Sequence, residues 1–173
     1  VSQTEKLCQL IAPEKDVDGL GASSIYPSAT AQAIDWLLAG YNIELSDKQI
    51  AIVGRGKLVG APLEKMWQQR GLNVQVYDKA NPATADSLQK CNVIVTATGV
   101  PRLITSEMIA PETVVVDAGT ASEGGVLVGD VDDAVRQRSD ITITPQKGGV
   151  GPLTYAVLFD HLIEACLRQV GKL

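Results

Sequence analysis

From residue 49 onward the chain alternates between short β-branched runs and longer stretches whose apolar residues recur with helical spacing, the mark of interleaved strands and helices. Residues 49–54, 73–78, 92–97, 113–117 and 140–144 are predicted strands. Residues 62–70, 84–90, 105–109 and 130–138 are predicted helices, each punctuated by polar residues, Gly or Pro. Ile94-Val95-Thr96-Ala97 and Val114-Val115-Val116-Asp117 are apolar on both alternating faces, as required of a strand with helices on either side. The fold class is therefore α/β, with a mostly parallel sheet covered on both faces.

The flanks differ. Residues 2–11 and 30–39 read as helices with apolar positions but no strand to pack against. Residues 152–170 form a long helix with a broad apolar stripe, Ala156, Val157, Phe159, Leu162, Ile163, Cys166 and Leu167. These three segments are expected to need a partner surface and, without one, to favour self-association or a second chain.

At 173 residues, 45% hydrophobic and 20% charged, the chain is expected to be a globular protein of one domain, or of one domain carrying extra pieces. No apolar run approaches the roughly 20 residues needed to cross a bilayer, and no leader pattern opens the chain, so no membrane partner is expected. The net charge of -5, spread along the chain, leaves no basic stripe for a phosphate backbone, so nucleic acid is not an expected partner. Three well-separated cysteines, Cys8, Cys91 and Cys166, fit buried free thiols in a reducing cytoplasm, and a single histidine, His161, speaks for a surface or packing role rather than metal or acid–base chemistry. The first residue is Val1 inside a helical-looking stretch, which predicts that the chain begins within a longer protein.

The strand ending at Val53 runs into Gly54-Arg55-Gly56-Lys57-Leu58-Val59-Gly60-Ala61-Pro62 and then into a helix. Such a turn can present backbone N–H groups and a helix N-terminus to a pyrophosphate, while its glycines allow close approach. The spacing G-x-G-x-x-x-G is one residue longer than the common fingerprint, and a purely structural glycine turn is the alternative. At the end of the next strand, Asp78 could accept the 2′-hydroxyl of NAD, whereas Lys79 with Arg55 could neutralise the 2′-phosphate of NADP. Thr98-Gly99 and Asp117-Ala118-Gly119-Thr120 end later strands with small residues, at the edge where open α/β sheets bind ligands.

Four separated segments carry a family resemblance when taken together: Lys15-Asp16-Val17-Asp18-Gly19, the 53–62 loop, Val128-Gly129-Asp130-Val131, and Gly148-Gly149-Val150-Gly151-Pro152-Leu153-Thr154. Their order and spacing resemble the bifunctional methylenetetrahydrofolate dehydrogenase/methenyltetrahydrofolate cyclohydrolase (FolD) family over essentially the whole chain. The resemblance implies a C-terminal Rossmann-like NAD(P)-binding part. Residues 1–45 are then a remnant of a catalytic domain with the interdomain segment, 46–147 the NAD(P)-binding domain, and 148–173 the return segment with a final helix packing on the catalytic domain.

It further implies oxidation of 5,10-methylenetetrahydrofolate by hydride transfer to NADP, with NAD possible, hydrolysis to 10-formyltetrahydrofolate, and a cytoplasmic homodimer. Asp18 is implied as the folate-binding, catalytic carboxylate, and Gly148, Gly149, Val150 and Pro152 as folate-facing. Gly54, Arg55, Gly56, Gly60, Asp78, Lys79, Thr98, Gly99 and Thr120 make up the cofactor side. The family's catalytic lysine, tyrosine and glutamine lie upstream of the segment matching Val1, so this chain alone is expected to be inactive.

Three loops depart from the family pattern: Pro27-Ser28-Ala29-Thr30 for P-C-T-P, Pro145-Gln146-Lys147-Gly148-Gly149 for P-V-P-G-G, and Thr120 for an apolar residue beside the nicotinamide. They motivate the alternative of a non-catalytic dinucleotide-binding module derived from this family.

Overall fold

A computed structural model describes residues 3–173; the first two positions of the predicted 2–11 segment include Ser2, which lies outside the described residues. Four strands, β1 (Ile50–Val53), β2 (Val74–Tyr77), β3 (Val93–Thr96) and β4 (Val114–Asp117), fall inside their predicted ranges. A hairpin of β5 (Ala121–Glu123) and β6 (Val126–Val128) follows, and β7 (Thr142–Ile143) completes a five-stranded parallel sheet in the order β2-β1-β3-β4-β7.

The helices are α1 (Gln3–Cys8), α2 (Ala29–Gly40), α3 (Gly60–Gln69), α4 (Ala85–Leu88), α5 (Asp133–Arg136) and α6 (Val150–Gln169). The predicted 105–109 helix is a single 3-10 turn, Ser106–Met108.

Alternation along the strands divides the core in two. Ile50, Ile52, Val93, Val95 and Val116 point to one face, where α2, α3 and α6 cover them. Ala51, Val53, Ile94 and Val115 point to the other, under Leu88 of α4, Val135 of α5 and the loop residues Ile104, Ile109 and Val131.

The expectation that the 30–39 helix has no strand to pack against is corrected here. Ala29, Ala31, Ala33, Ile34 and Leu38 of α2 are buried in the same cluster as the sheet, their small side chains allowing close approach, and Trp67 of α3 donates from its indole N–H to Asp35 at 2.9 Å.

The long helix α6 is two-sided. Val150, Val157, His161 and Ala165 are buried against α2 and the core, whereas Tyr155, Phe159 and Ile163 are 69%, 65% and 60% exposed. Of the apolar stripe read from the sequence, only Val157 is fully enclosed, and the outer face remains uncovered, as do Leu7 and Leu10 near α1. By length and apolarity alone α6 could cross a membrane, but its inner face belongs to the core. The expectation of buried thiols holds for Cys91 only, since Cys8 is half-buried and Cys166 exposed.

Candidate functional site at the carboxyl edge of the sheet

In the order β2-β1-β3-β4-β7 the chain reverses direction of travel between β1 and β3, and ligands of open α/β sheets bind where the strand order reverses. The glycine-rich turn stands there. Gly54 has φ +103, a conformation that strains any side chain, and a Cβ on it would lie 2.5 Å from the Ala97 carbonyl oxygen. Gly60, the first residue of α3, is packed so closely that a Cβ would lie 1.8 Å from the Gly54 carbonyl oxygen.

The chain thus folds back on its own strand end and starts a helix against it. The Ala61 N–H closes the turn on Gly56 O at 3.0 Å, and α3 opens with no side-chain cap, so no side chain competes for its first N–H groups. Gly56 differs from the other two: its nearest neighbour would be 4.0 Å away, so packing does not require it.

The loops after β3 and β4 continue this floor. A Cβ on Gly54 would touch the Thr98 methyl at 3.0 Å, and one on Gly99 would come within 3.5 Å of the Thr120 carbonyl. Gly54, Thr98, Gly99 and Thr120 therefore form one continuous surface, with Gly99 and Thr120 exposed. Beyond β7, Gly148 is exposed, Gly149 precedes the first turn of α6, Val150 is buried in the core and Pro152 is exposed within that turn.

Beneath the floor lies a polar network that sequence reasoning did not assign. Asp130 is 1% exposed, and its Oδ2 accepts from the Thr96 hydroxyl and the Thr98 N–H, both at 2.6 Å. Asp117 accepts from the N–H groups of Gly119 and Asp130 at 3.1 Å and of Val131 at 3.2 Å, and from the Arg136 guanidinium. Arg136 also donates to Thr144 O at 2.9 Å, and the Thr144 hydroxyl accepts from the Asp117 N–H at 2.9 Å.

Burial pushes the Asp117 carboxyl above its ordinary pKa, against the N–H groups of Asp130 and Val131 and the Arg136 charge, which pull it down. The two carboxylates press on glycines: a Cβ on Gly119 would meet Asp130 at 2.0 Å, and one on Gly129 would meet Asp117 at 2.0 Å. An aspartate at a strand end paired with a later glycine-aspartate is the one signal of this network in the sequence.

At the end of β2, the Asp78 carboxylate accepts from the N–H groups of Ala80 at 2.8 Å and Asn81 at 3.0 Å, an Asx turn that, with Arg55 nearby, holds its pKa below the ordinary value. Lys79 is exposed beside it. Arg55 pairs with Glu64 of α3, Nε to Oε2 at 2.8 Å and Nη2 to Oε1 at 3.3 Å, which raises the guanidinium pKa.

Asp18 belongs to a second group of residues. Its neighbour Asp16 is 4% exposed and accepts from the N–H groups of Leu20 at 3.2 Å and Gly21 at 2.6 Å, so Asp16 is the aspartate that holds the loop. The Asp18 carboxylate takes no hydrogen bond from a described residue. Burial and the nearby Asp16 charge raise its pKa, opposed by His161.

His161 is a packing residue: Nδ1 donates to Val17 O at 2.7 Å, Nε2 lies 2.9 Å from Gln32 Oε1, and the ring packs on Tyr26. The two groups are joined by Ser28, whose hydroxyl donates to Leu58 O of the glycine-rich turn at 2.6 Å, through one of the departures noted in the sequence. Ser28→Ala is expected to cost about 1 kcal/mol and to lower the melting temperature by about 2–4 °C in a thermal unfolding scan; no shift would mean that the bond contributes nothing net.

A doubly wound α/β sheet with a glycine turn at its reversal point, backed by an uncapped helix, defines the class of nucleotide-cradling α/β domains. The chain belongs to the tetrahydrofolate dehydrogenase/cyclohydrolase family, whose NAD(P)-binding domain description matches residues 28–170. It is 37% identical to bifunctional protein FolD 1 of Saccharopolyspora erythraea over 95% of this chain and 60% of that protein.

Among solved structures, the bifunctional FolD dehydrogenase/cyclohydrolase of Campylobacter jejuni superposes with a TM-score of 0.88 at 29% identity, over 95% of this chain and 62% of that one. The Trypanosoma brucei FolD, complexed with NADP cofactor and inhibitor, gives a TM-score of 0.87 at 29% identity over 97% and 63%. The chain spans less than two thirds of the length of each of these relatives.

Proposed function

We propose that the chain is the NADP-binding part of an enzyme that oxidises 5,10-methylenetetrahydrofolate to 5,10-methenyltetrahydrofolate and hydrolyses it to 10-formyltetrahydrofolate. The observation that carries this reading is the Gly54–Gly60 cradle, a backbone hollow that a Cβ at either glycine would fill, set against the Thr98-Gly99 and Thr120 loops. The residues present fit the cofactor. Gly54, Gly56 and Gly60 with the start of α3 suit a pyrophosphate, Asp78, Lys79 and Arg55 the adenosine ribose and its 2′-substituent, and Thr98, Gly99 and Thr120 a flat ring.

When bound, NADP supplies the hydride acceptor. The chain's own part is to orient that ring and exclude water, work suited to small side chains, since hydride transfer depends mainly on positioning. Asp18 is assigned to the folate, its unengaged carboxylate in a partly desolvated setting being the free one of the two loop aspartates. Gly148, Gly149 and Pro152 are assigned to the same cleft because they follow β7 onto the same edge of the sheet, with Val150, expected there too, instead tying the segment to the core by its buried side chain.

The reading assigns 46–147 to the cofactor-binding unit, with 1–45 and 148–173 on the folate side. A cytoplasmic homodimer is part of the same proposal. The uncovered outer face of α6 is compatible with a partner surface.

Arg55→Ala combined with Lys79→Ala is expected to weaken NADP binding about tenfold or more, while NAD binding changes by less than about twofold, in calorimetric titrations of the chain. Equal weakening of both cofactors would overturn the 2′-phosphate assignment. Release of formyl product from an intact relative carrying these loops would separate the catalytic reading from that of a binding module.

A further inference from the structure

At the place assigned to the 2′-substituent the chain has set acid against base. Arg55 stands in the glycine turn, and its side chain is 56% exposed, yet its fork is closed on Glu64, which is only 14% exposed and fixed on the first turns of α3. Asp78 adds a second negative charge close enough to act on the same guanidinium. All three line one shallow groove of about 560 Å³ along the edge strand β2.

The charged residues that line this groove are thus Arg55 against Glu64 and Asp78, one cation and two anions, with Lys79 following Asp78 in the chain outside the lining, and a 2′-phosphate would add roughly two more negative charges. Two of the five guanidinium N–H donors of Arg55, those of the Nε/Nη2 fork, are engaged on Glu64, so a phosphate must either displace that carboxylate or take the remaining donors of a cation whose charge Glu64 already offsets, with the carboxylate close to the incoming dianion. A 2′-hydroxyl meets no such opposition and can donate to Asp78.

Resting on the cofactor assignment proposed above, we infer that Glu64 is a specificity-determining residue: by sequestering Arg55 it weakens the hold on NADP and narrows the preference for NADP over NAD. Glu64 does not touch the cofactor in this account. It acts through Arg55, and its removal matters only for the phosphorylated cofactor.

The test is equilibrium binding of NADP and of NAD by calorimetry to the full chain and to Glu64→Gln, Arg55→Ala and the double variant. Glutamine keeps the length and a hydrogen bond to Arg55 but removes the charge. Glu64→Gln is expected to tighten NADP about two- to fivefold, in line with the strength of an exposed ion pair, with NAD changed by less than about 1.5-fold. The gain should vanish in the Arg55→Ala background, and should shrink as salt is raised.

If Glu64→Gln leaves NADP unchanged or weaker while Arg55→Ala selectively weakens NADP, the role of Glu64 is overturned and the cofactor assignment stands. If Arg55→Ala weakens both cofactors alike, or neither, the assignment falls and the inference with it. Thermal scans of each variant separate a loss of fold from a change in affinity.

Discussion

Asp117→Ala is expected to lower the unfolding free energy by about 3–5 kcal/mol, the usual cost of removing one partner from a buried ion pair. The side chains involved are enclosed, Asp117 being 3% and Arg136 13% exposed. Without the carboxylate, Arg136 keeps only Thr144 O as a described partner, and the N–H groups of Gly119, Asp130 and Val131 lose their acceptor. Against a total stability of about 5–15 kcal/mol, such a loss leaves a marginal fold.

Urea unfolding measures it directly. Asp117→Asn, which preserves shape and one accepting oxygen, should recover part of the loss. A cost below about 1 kcal/mol for the alanine variant would show that the network is dispensable. The consequence for function is local as well as global, since Asp130, which fixes the Thr98 N–H, is itself held by its backbone bond to Asp117.

The second large effect is expected at Gly60. A methyl group there would lie 1.8 Å from the Gly54 carbonyl oxygen, and because that atom is backbone, no rotamer change relieves the overlap. The helix start must move away from the strand end, at a cost of about 1–3 kcal/mol or more. The cradle moves with it, so NADP affinity should fall about tenfold or more in the same calorimetric titration.

Gly56→Ala provides the contrast. With its nearest neighbour 4.0 Å away, it should cost less than about 0.5 kcal/mol. Equal effects at the two positions would mean that chain flexibility, rather than close packing, explains the glycines of this turn.

The central strands were legible because a strand buried on both faces must be apolar at consecutive positions, and β1 and β3 are buried at every residue. Legibility faded where a tertiary bond competes with a local pattern. The helix expected over 130–138 begins only at Asp133, because Asp130 is drawn to Thr96 and Thr98 and Asp132 caps the helix by accepting from the Ala134 N–H. The helix expected over 84–90 contracts to Ala85–Leu88, capped at its start by the reciprocal Thr84–Ser87 bonds.

The β5–β6 hairpin was not read at all, although Gly124 and Gly125, at φ +57 and +82, are the two left-handed positions that such a turn requires. Three strand residues on each side of the turn are too few to stand out by alternation.

By itself the sequence determined the parallel helix-covered sheet, the glycine turn, the small-residue strand ends and the family. Each of these is written in neighbouring residues, through apolar periodicity, backbone sterics or an unbroken motif. Only the tertiary structure decided that α2 packs on the sheet, that Asp16 and not Asp18 holds its loop, and that Glu64 occupies Arg55. It alone brought Asp117 to Arg136, 19 residues away, and Thr96 to Asp130, 34 residues away. Such meetings follow from the order in which strands assemble, and the energy of a buried charge depends on what surrounds it in space, which no run of neighbouring residues specifies.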